Sequence, residues 1–145
     1  MNQDVETAIE IALGSATQHI VVDNEQNARV SIQYLKKNGF GRATFLPMTV
    51  MKPRTLSDYQ MNQISQHEAF VGIASALVEF DSAYENIVHN LLGTIVIAKD
   101  LKGANALASI LQHRYRIVTL EGDVVNPGGS MTGGAVKQKS NSLLS

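Results

Sequence analysis

Asn126-Pro127-Gly128-Gly129-Ser130-Met131-Thr132-Gly133-Gly134-Ala135 sets two glycine pairs within nine residues, too dense for a packed helix. Such glycine density marks a backbone that something approaches closely, and the candidates are a phosphate, a neighbouring strand or a second copy of the chain. A flexible tail is the bland alternative.

A phosphate is the weakest of these. The segment lacks the Lys-Ser/Thr pair of a Walker A loop and the spacing of the dinucleotide fingerprint. Little sequence follows it to build the helix whose N-terminus would hold an anion. Immediately upstream, Val118-Thr119-Leu120 and Asp123-Val124-Val125 flank Glu121-Gly122, which reads as a hairpin with a tight glycine turn. The glycine pairs therefore follow a strand, and the surface they form is expected to face protein.

Outward from that end, periodicity gives an alternating α/β order. Thr94 to Ala98 and Arg116 to Leu120 read as strands, the first with fully buried character, around a helix from Asp100 to His113. Tyr84, Ile87, Val88 and Leu91 make a helical stripe ending at Gly93, and Asp81 before it reads as a cap. In the first half, Asp4 to Leu13 is an amphipathic helix closed by Gly14. His19 to Val22 is a strand, and Asp23 or Asn24 caps a helix with Ala28, Ile32 and Leu35 on one face. Lys36-Lys37-Asn38-Gly39 stops that helix, and Arg42 to Leu46 returns as a strand parallel to the first. Pro47 to Gln66 is polar and aperiodic, the pattern of a long surface connection with a turn of helix. Two small α/β lobes are expected, lobe one over about 1–70 and lobe two over about 71–136.

Composition narrows the function classes. The chain has 145 residues, 44% apolar content and a formal net charge of −1. That suits one domain with a real core and argues against binding nucleic acid with the whole surface. The absence of cysteine excludes disulfides and thiolate metal sites and is consistent with a reducing cytosol. No apolar run reaches the ~18 residues of a bilayer span, and Met1-Asn2-Gln3-Asp4 lacks the features of a signal peptide, so neither membrane nor export is expected. His19, His67, His89 and His113 are dispersed without an i, i+4 pair, which predicts no metal site. Ser15, Ser75, Ser109 and Ser130 sit in no nucleophile elbow. No catalytic residue and no cofactor are expected.

Four stretches then add up to a family resemblance: Glu6-Thr7-Ala8-Ile9-Glu10-Ile11-Ala12-Leu13-Gly14, Gln18-His19-Ile20-Val21-Val22, Gly41-Arg42-Ala43-Thr44-Phe45-Leu46-Pro47 and the glycine segment to Gly134. In order and register, they resemble the hinge domain of a structural maintenance of chromosomes (SMC) protein of the bacterial type. The resemblance runs from about Val5 to Gly134. It implies an SMC hinge fold whose two lobes form a ring-shaped (toroidal) two-fold dimer, within a chromosome condensation and segregation protein of the cytoplasm and nucleoid. Coiled-coil arms would attach just outside Val5 and just after Lys139. The ATPase heads and their kleisin-type partners belong to the rest of such a protein, so the hinge itself is no enzyme. Residues 1–139 form the hinge in this reading, and 140–145 a truncated or unstructured tail.

The resemblance also assigns residues. Gly128, Gly129, Gly133 and Gly134 match the family's dimer interface. Lys137 and Lys139 match cations that contact DNA, preferentially single-stranded and without reading bases, with Lys36 and Lys37 as weaker candidates. Such contacts are weak and salt-sensitive. The alternative is a small-ligand or nucleotide-binding α/β domain, or an enzyme, that uses the glycine-rich loop.

Overall fold

A computed structural model of the chain describes residues 3–135. Its strands form two sheets, a five-stranded one in the order β3-β4-β5-β6-β7 and a two-stranded one made of β1 and β2. The larger sheet is mixed. β4 (Val96–Ala98) and β5 (Ile117–Thr119) are parallel neighbours, β3 (Phe70–Ile73) runs antiparallel to β4, and β5, β6 (Val124–Val125) and β7 (Met131–Thr132) form an antiparallel meander.

Residue alternation explains how this sheet holds the molecule together. Val96, Ala98, Ile117 and Val125 join the core on one face, with α5 (Leu101–Ile110) and α3 (Asp58–Ile64) over them. Ile95, Ile97, Val118 and Val124 join the core on the other, under α1 (Gln3–Leu13) and α4 (Glu85–Leu92). Burial on both faces is why these strands are short, continuous apolar runs, and burying each of their valine and isoleucine side chains contributes about 1.5–3 kcal/mol.

The strand-helix-strand units expected from periodicity are both present, and their helices start alike. Asn24 caps α2 (Glu25–Asn38) by accepting the Asn27 N–H at 2.8 Å, and Asp100 caps α5 by accepting the Gly103 N–H at 2.7 Å. Gly39 closes α2 in the left-handed region at φ 64°, a backbone state glycine adopts without steric cost. β1 (Ile20–Val22) then pairs in parallel with β2 (Phe45–Pro47), Val21 opposite Leu46.

One expectation needs correction. The polar middle is not a mere surface connection: Ser57 and Gln60 form a reciprocal capping box that starts α3, and Leu56 and Ile64 are buried in the main core. Helix packing crosses the expected lobe boundary near residue 70. Ala8, Ile9 and Ala12 of α1 pack on the five-stranded sheet, because only that sheet offers an apolar face large enough to bury them. What remains of lobe one is β1, β2 and α2, and α2 has no buried residue.

Candidate dimer interface

The glycine-rich segment forms a hairpin turn and a free edge. β7 returns antiparallel to β6 with Val125 opposite Met131 and Val124 opposite Thr132, leaving β7 at the border of the sheet. The Asn126 N–H donates to the Ser130 carbonyl at 2.7 Å, and the Asn126 side-chain amide reaches the Ser130 carbonyl at 3.2 Å and Thr132 Oγ1 at 3.1 Å. Because 126 and 130 are a hydrogen-bonded pair, antiparallel alternation makes 124 and 132 the next one. The Met131 N–H and C=O therefore point away from β6. Met131 is 58% exposed.

Each glycine of the segment has its own reason. Gly128 and Gly129 stand at φ 91° and 105°, and the Gly128 N–H donates to the His113 carbonyl at 2.8 Å, which ties the turn to the end of α5. Gln112 and His113 themselves sit at φ 60° and 55°, two successive left-handed residues without the freedom of glycine. Gly133 has an ordinary φ, but a Cβ there would collide with the Asp123 carboxylate. Gly134, at φ 131°, donates its N–H to the same carboxylate at 3.3 Å. Within the chain, left-handed geometry accounts for Gly128, Gly129 and Gly134, and contact with Asp123 accounts for Gly133.

The small sheet is the second incomplete surface. Ile20 is 45% exposed and Val21 37% exposed, and Val30 and Ile32 of α2 are exposed as well. A two-stranded sheet is marginal by itself in water; a third strand or further packing is needed. Apolar exposure of this extent on so small an element makes it a candidate contact surface.

Of the other candidate residues, Lys36 and Lys37 end α2 and are exposed, far along the chain from the glycine turn. Lys137 and Lys139 lie outside the described residues. The histidines are not gathered: His67 Nδ1 accepts the Ala69 N–H at 3.0 Å, and His89 meets Phe80 edge to face. Among the described residues no group of histidine, aspartate or glutamate is placed to hold a metal, and no helix is long and apolar enough to cross a membrane.

This mixed α/β fold is that of SMC hinge domains. It superposes on the crystal structure of an asymmetric dimer of the Geobacillus stearothermophilus SMC hinge domain with a TM-score of 0.91, at 59% identity, over 95% of this chain and 56% of that one. The Pyrococcus furiosus SMC hinge domain matches with a TM-score of 0.73 at 31% identity, over 98% of this chain and 74% of that one. Residues 1–108 match the family described as the SMC proteins flexible hinge domain, and the chain belongs to it. It is also 64% identical over 142 residues to the chromosome partition protein Smc of Bacillus subtilis, covering 98% of this chain and 12% of that protein. The chain thus corresponds to the hinge region of a much longer relative, and the glycine segment lies beyond the family match but within these alignments.

Proposed function

We propose that the chain is the homodimerisation hinge of a chromosome partition protein, joining two coiled-coil arms through the β7 edge of each copy and the unfinished small sheet of the other. The observation that carries this reading is the pairing of deficits: one sheet ends on an outward-facing Met131 backbone, and the other has only two strands and exposed apolar residues. Adding β7 of one copy to the small sheet of its partner satisfies both. Two-fold symmetry makes the contact twice and closes a ring. Gly128, Gly129, Gly133 and Gly134 shape the edge that is presented, and the module carries out no catalysis of its own.

The same reading includes weak DNA binding by neutralisation of phosphates. Lys137 and Lys139 stand next to the arm's root in sequence, and Lys36 and Lys37 form a second basic pair. The longer protein would act at the nucleoid, with kleisin-type partners at its heads.

Hydrogen exchange at one amide tests the interface. Met131 N–H has no partner in the β6 ladder, so in a monomer it exchanges at nearly the rate of an unstructured chain. In the proposed dimer it is expected to be protected by at least about 100-fold, since opening then requires separating the subunits. Fast exchange of Met131 at concentrations where the chain is dimeric would place the contact elsewhere.

A further inference from the structure

The cations of this chain are not evenly spread. Between Gln26 and Ser57 lie Arg29, Lys36, Lys37, Arg42, Lys52 and Arg54, six of the twelve lysines and arginines, and none of the thirteen acids. All six are exposed. Arg29 is held by the Glu25 carboxylate, whose hydrogen bond and charge raise its pKa above the usual guanidinium range, so it is the least available of them. Glu25 and Asp23 lie at the start of α2, and Lys36 is eleven residues further on. At 1.5 Å rise per residue that is about 16 Å, beyond the ~8 Å screening length at physiological salt.

Two aromatic rings stand among these cations. Tyr34 is 59% exposed and Phe40 64% exposed, with ring centroids 5.9 Å apart at an interplanar angle of 61°. Both are fixed in place. The Gly39 N–H bonds the Lys36 carbonyl at 3.3 Å and the Phe40 N–H bonds the Leu35 carbonyl at 3.1 Å, which ends α2 and directs Phe40 back onto it. Gly39 and Gly41, at φ 64° and 89°, flank the ring with open space around them. A helix-ending apolar contact accounts for one ring touching the helix. It does not account for two large rings left mostly in water on a stretch that carries Lys36, Lys37 and Arg42 and no acid.

We infer that the Tyr34–Phe40 pair, with Lys36, Lys37 and Arg42, is a stacking site for single-stranded nucleic acid on lobe one. Unstacked bases lie on the rings while the cations neutralise the flanking phosphates. The rings are splayed, so successive bases take one ring each. A duplex keeps its bases stacked internally and gains only the phosphate contacts, which gives this surface its preference for single strands. The inference rests on the DNA reading above and deepens it. There, a preference for single strands is expected from the resemblance with no residue to account for it; here, two uncharged rings are assigned that part.

Fluorescence anisotropy of the full chain with a labelled oligothymidine and a labelled mixed-sequence duplex tests it. Tyr34→Ala with Phe40→Ala is expected to weaken oligothymidine binding about tenfold or more, in line with stacking contributions, and to leave duplex binding unchanged. Tyr34→Phe keeps the ring and should bind as the parent does. Phe40→Leu keeps the helix-ending contact, removes the ring and should lose affinity for the oligothymidine alone. Lys36→Glu with Lys37→Glu should weaken both ligands and flatten the salt dependence. Unchanged oligothymidine binding by the ring variants would overturn the stacking site while leaving the DNA reading intact. So would loss of all binding in Lys137→Glu with Lys139→Glu, since it would assign the nucleic acid to the arm root. Absence of binding to either ligand by the parent chain would overturn both.

Discussion

Met131→Pro is expected to turn the dimer into folded monomers. Proline removes the outward N–H of β7 and adds bulk on the free edge, while the β6 ladder, which uses the neighbouring residues, keeps its bonds. Each contact loses one hydrogen bond, about 1 kcal/mol net, and leaves a partner carbonyl unpaired at a further ~1–3 kcal/mol. Two-fold symmetry doubles the loss. The total, about 4–8 kcal/mol, corresponds to a rise in the dimer dissociation constant on the order of 10³-fold or more. Sedimentation velocity across a dilution series measures that rise, and circular dichroism verifies the fold. Retention of the parent dissociation constant would remove β7 from the interface. A proline at Met131 is more incisive than alanine at the four glycines. Alanine at position 133 would strike Asp123 within the same chain, and at 128, 129 and 134 it would strain a positive φ, so the hairpin itself would suffer.

Gly93→Ala is expected to be among the most damaging single substitutions for stability. Gly93 follows α4 with an ordinary helical φ of −71°, so its conformation would suit alanine. Space forbids it. A Cβ there would overlap the Arg54 carbonyl oxygen and the His89 carbonyl oxygen, both backbone atoms. The polar segment before α3 crosses the end of α4 at this point, with the Arg54 N–H donating to the His89 carbonyl at 3.2 Å and Asn90 Nδ2 to the Lys52 carbonyl at 2.9 Å. Relieving the clash means lifting that segment off the helix and breaking these bonds, a cost of roughly 3–5 kcal/mol. Thermal unfolding should show Tm lowered by roughly 10–20 °C. A Tm within a few degrees of the parent would mean that the crossing is loose.

The contrast between Gly93 and Gly39 shows where sequence reading succeeds and where it stops. Both look like helix terminators on the chain. At Gly39 that reading is right, because the left-handed cap is a local property of α2. At Gly93 the cause is a segment some forty residues away, which no local pattern contains. The same division runs through the fold. β4 and β5 are legible because burial on both faces demands unbroken apolar runs, and α2 and α5 because their caps sit beside the residues they cap. α3 is legible only as a turn of helix within a polar stretch, since Asp58–Ile64 turns only Met61 and Ile64 toward the core and two apolar residues make no stripe. β3 escapes notice. It is four residues long, contains Gly72 and pairs with β4 across a bulge.

The candidate site divides in the same way. The hairpin before the glycine segment was legible from its alternation and its Glu121-Gly122 turn. The order of β7 at the sheet border, the outward face of Met131 and the contact of Gly133 with Asp123 depend on tertiary placement. The stripe of α2 misled in another way. Ile32 reads as a core position, yet it is 40% exposed, because lobe one within a single chain has too little structure to cover it.

Light scattering coupled to size exclusion, run on the chain at low micromolar concentration without nucleotide, bears most directly on the proposed role. The chain has a mass of 15.7 kDa. Two copies joined as a hinge give a single peak at twice that mass, unchanged by dilution through the low micromolar range or by added nucleotide. A peak at the single-chain mass would contradict the homodimerising hinge.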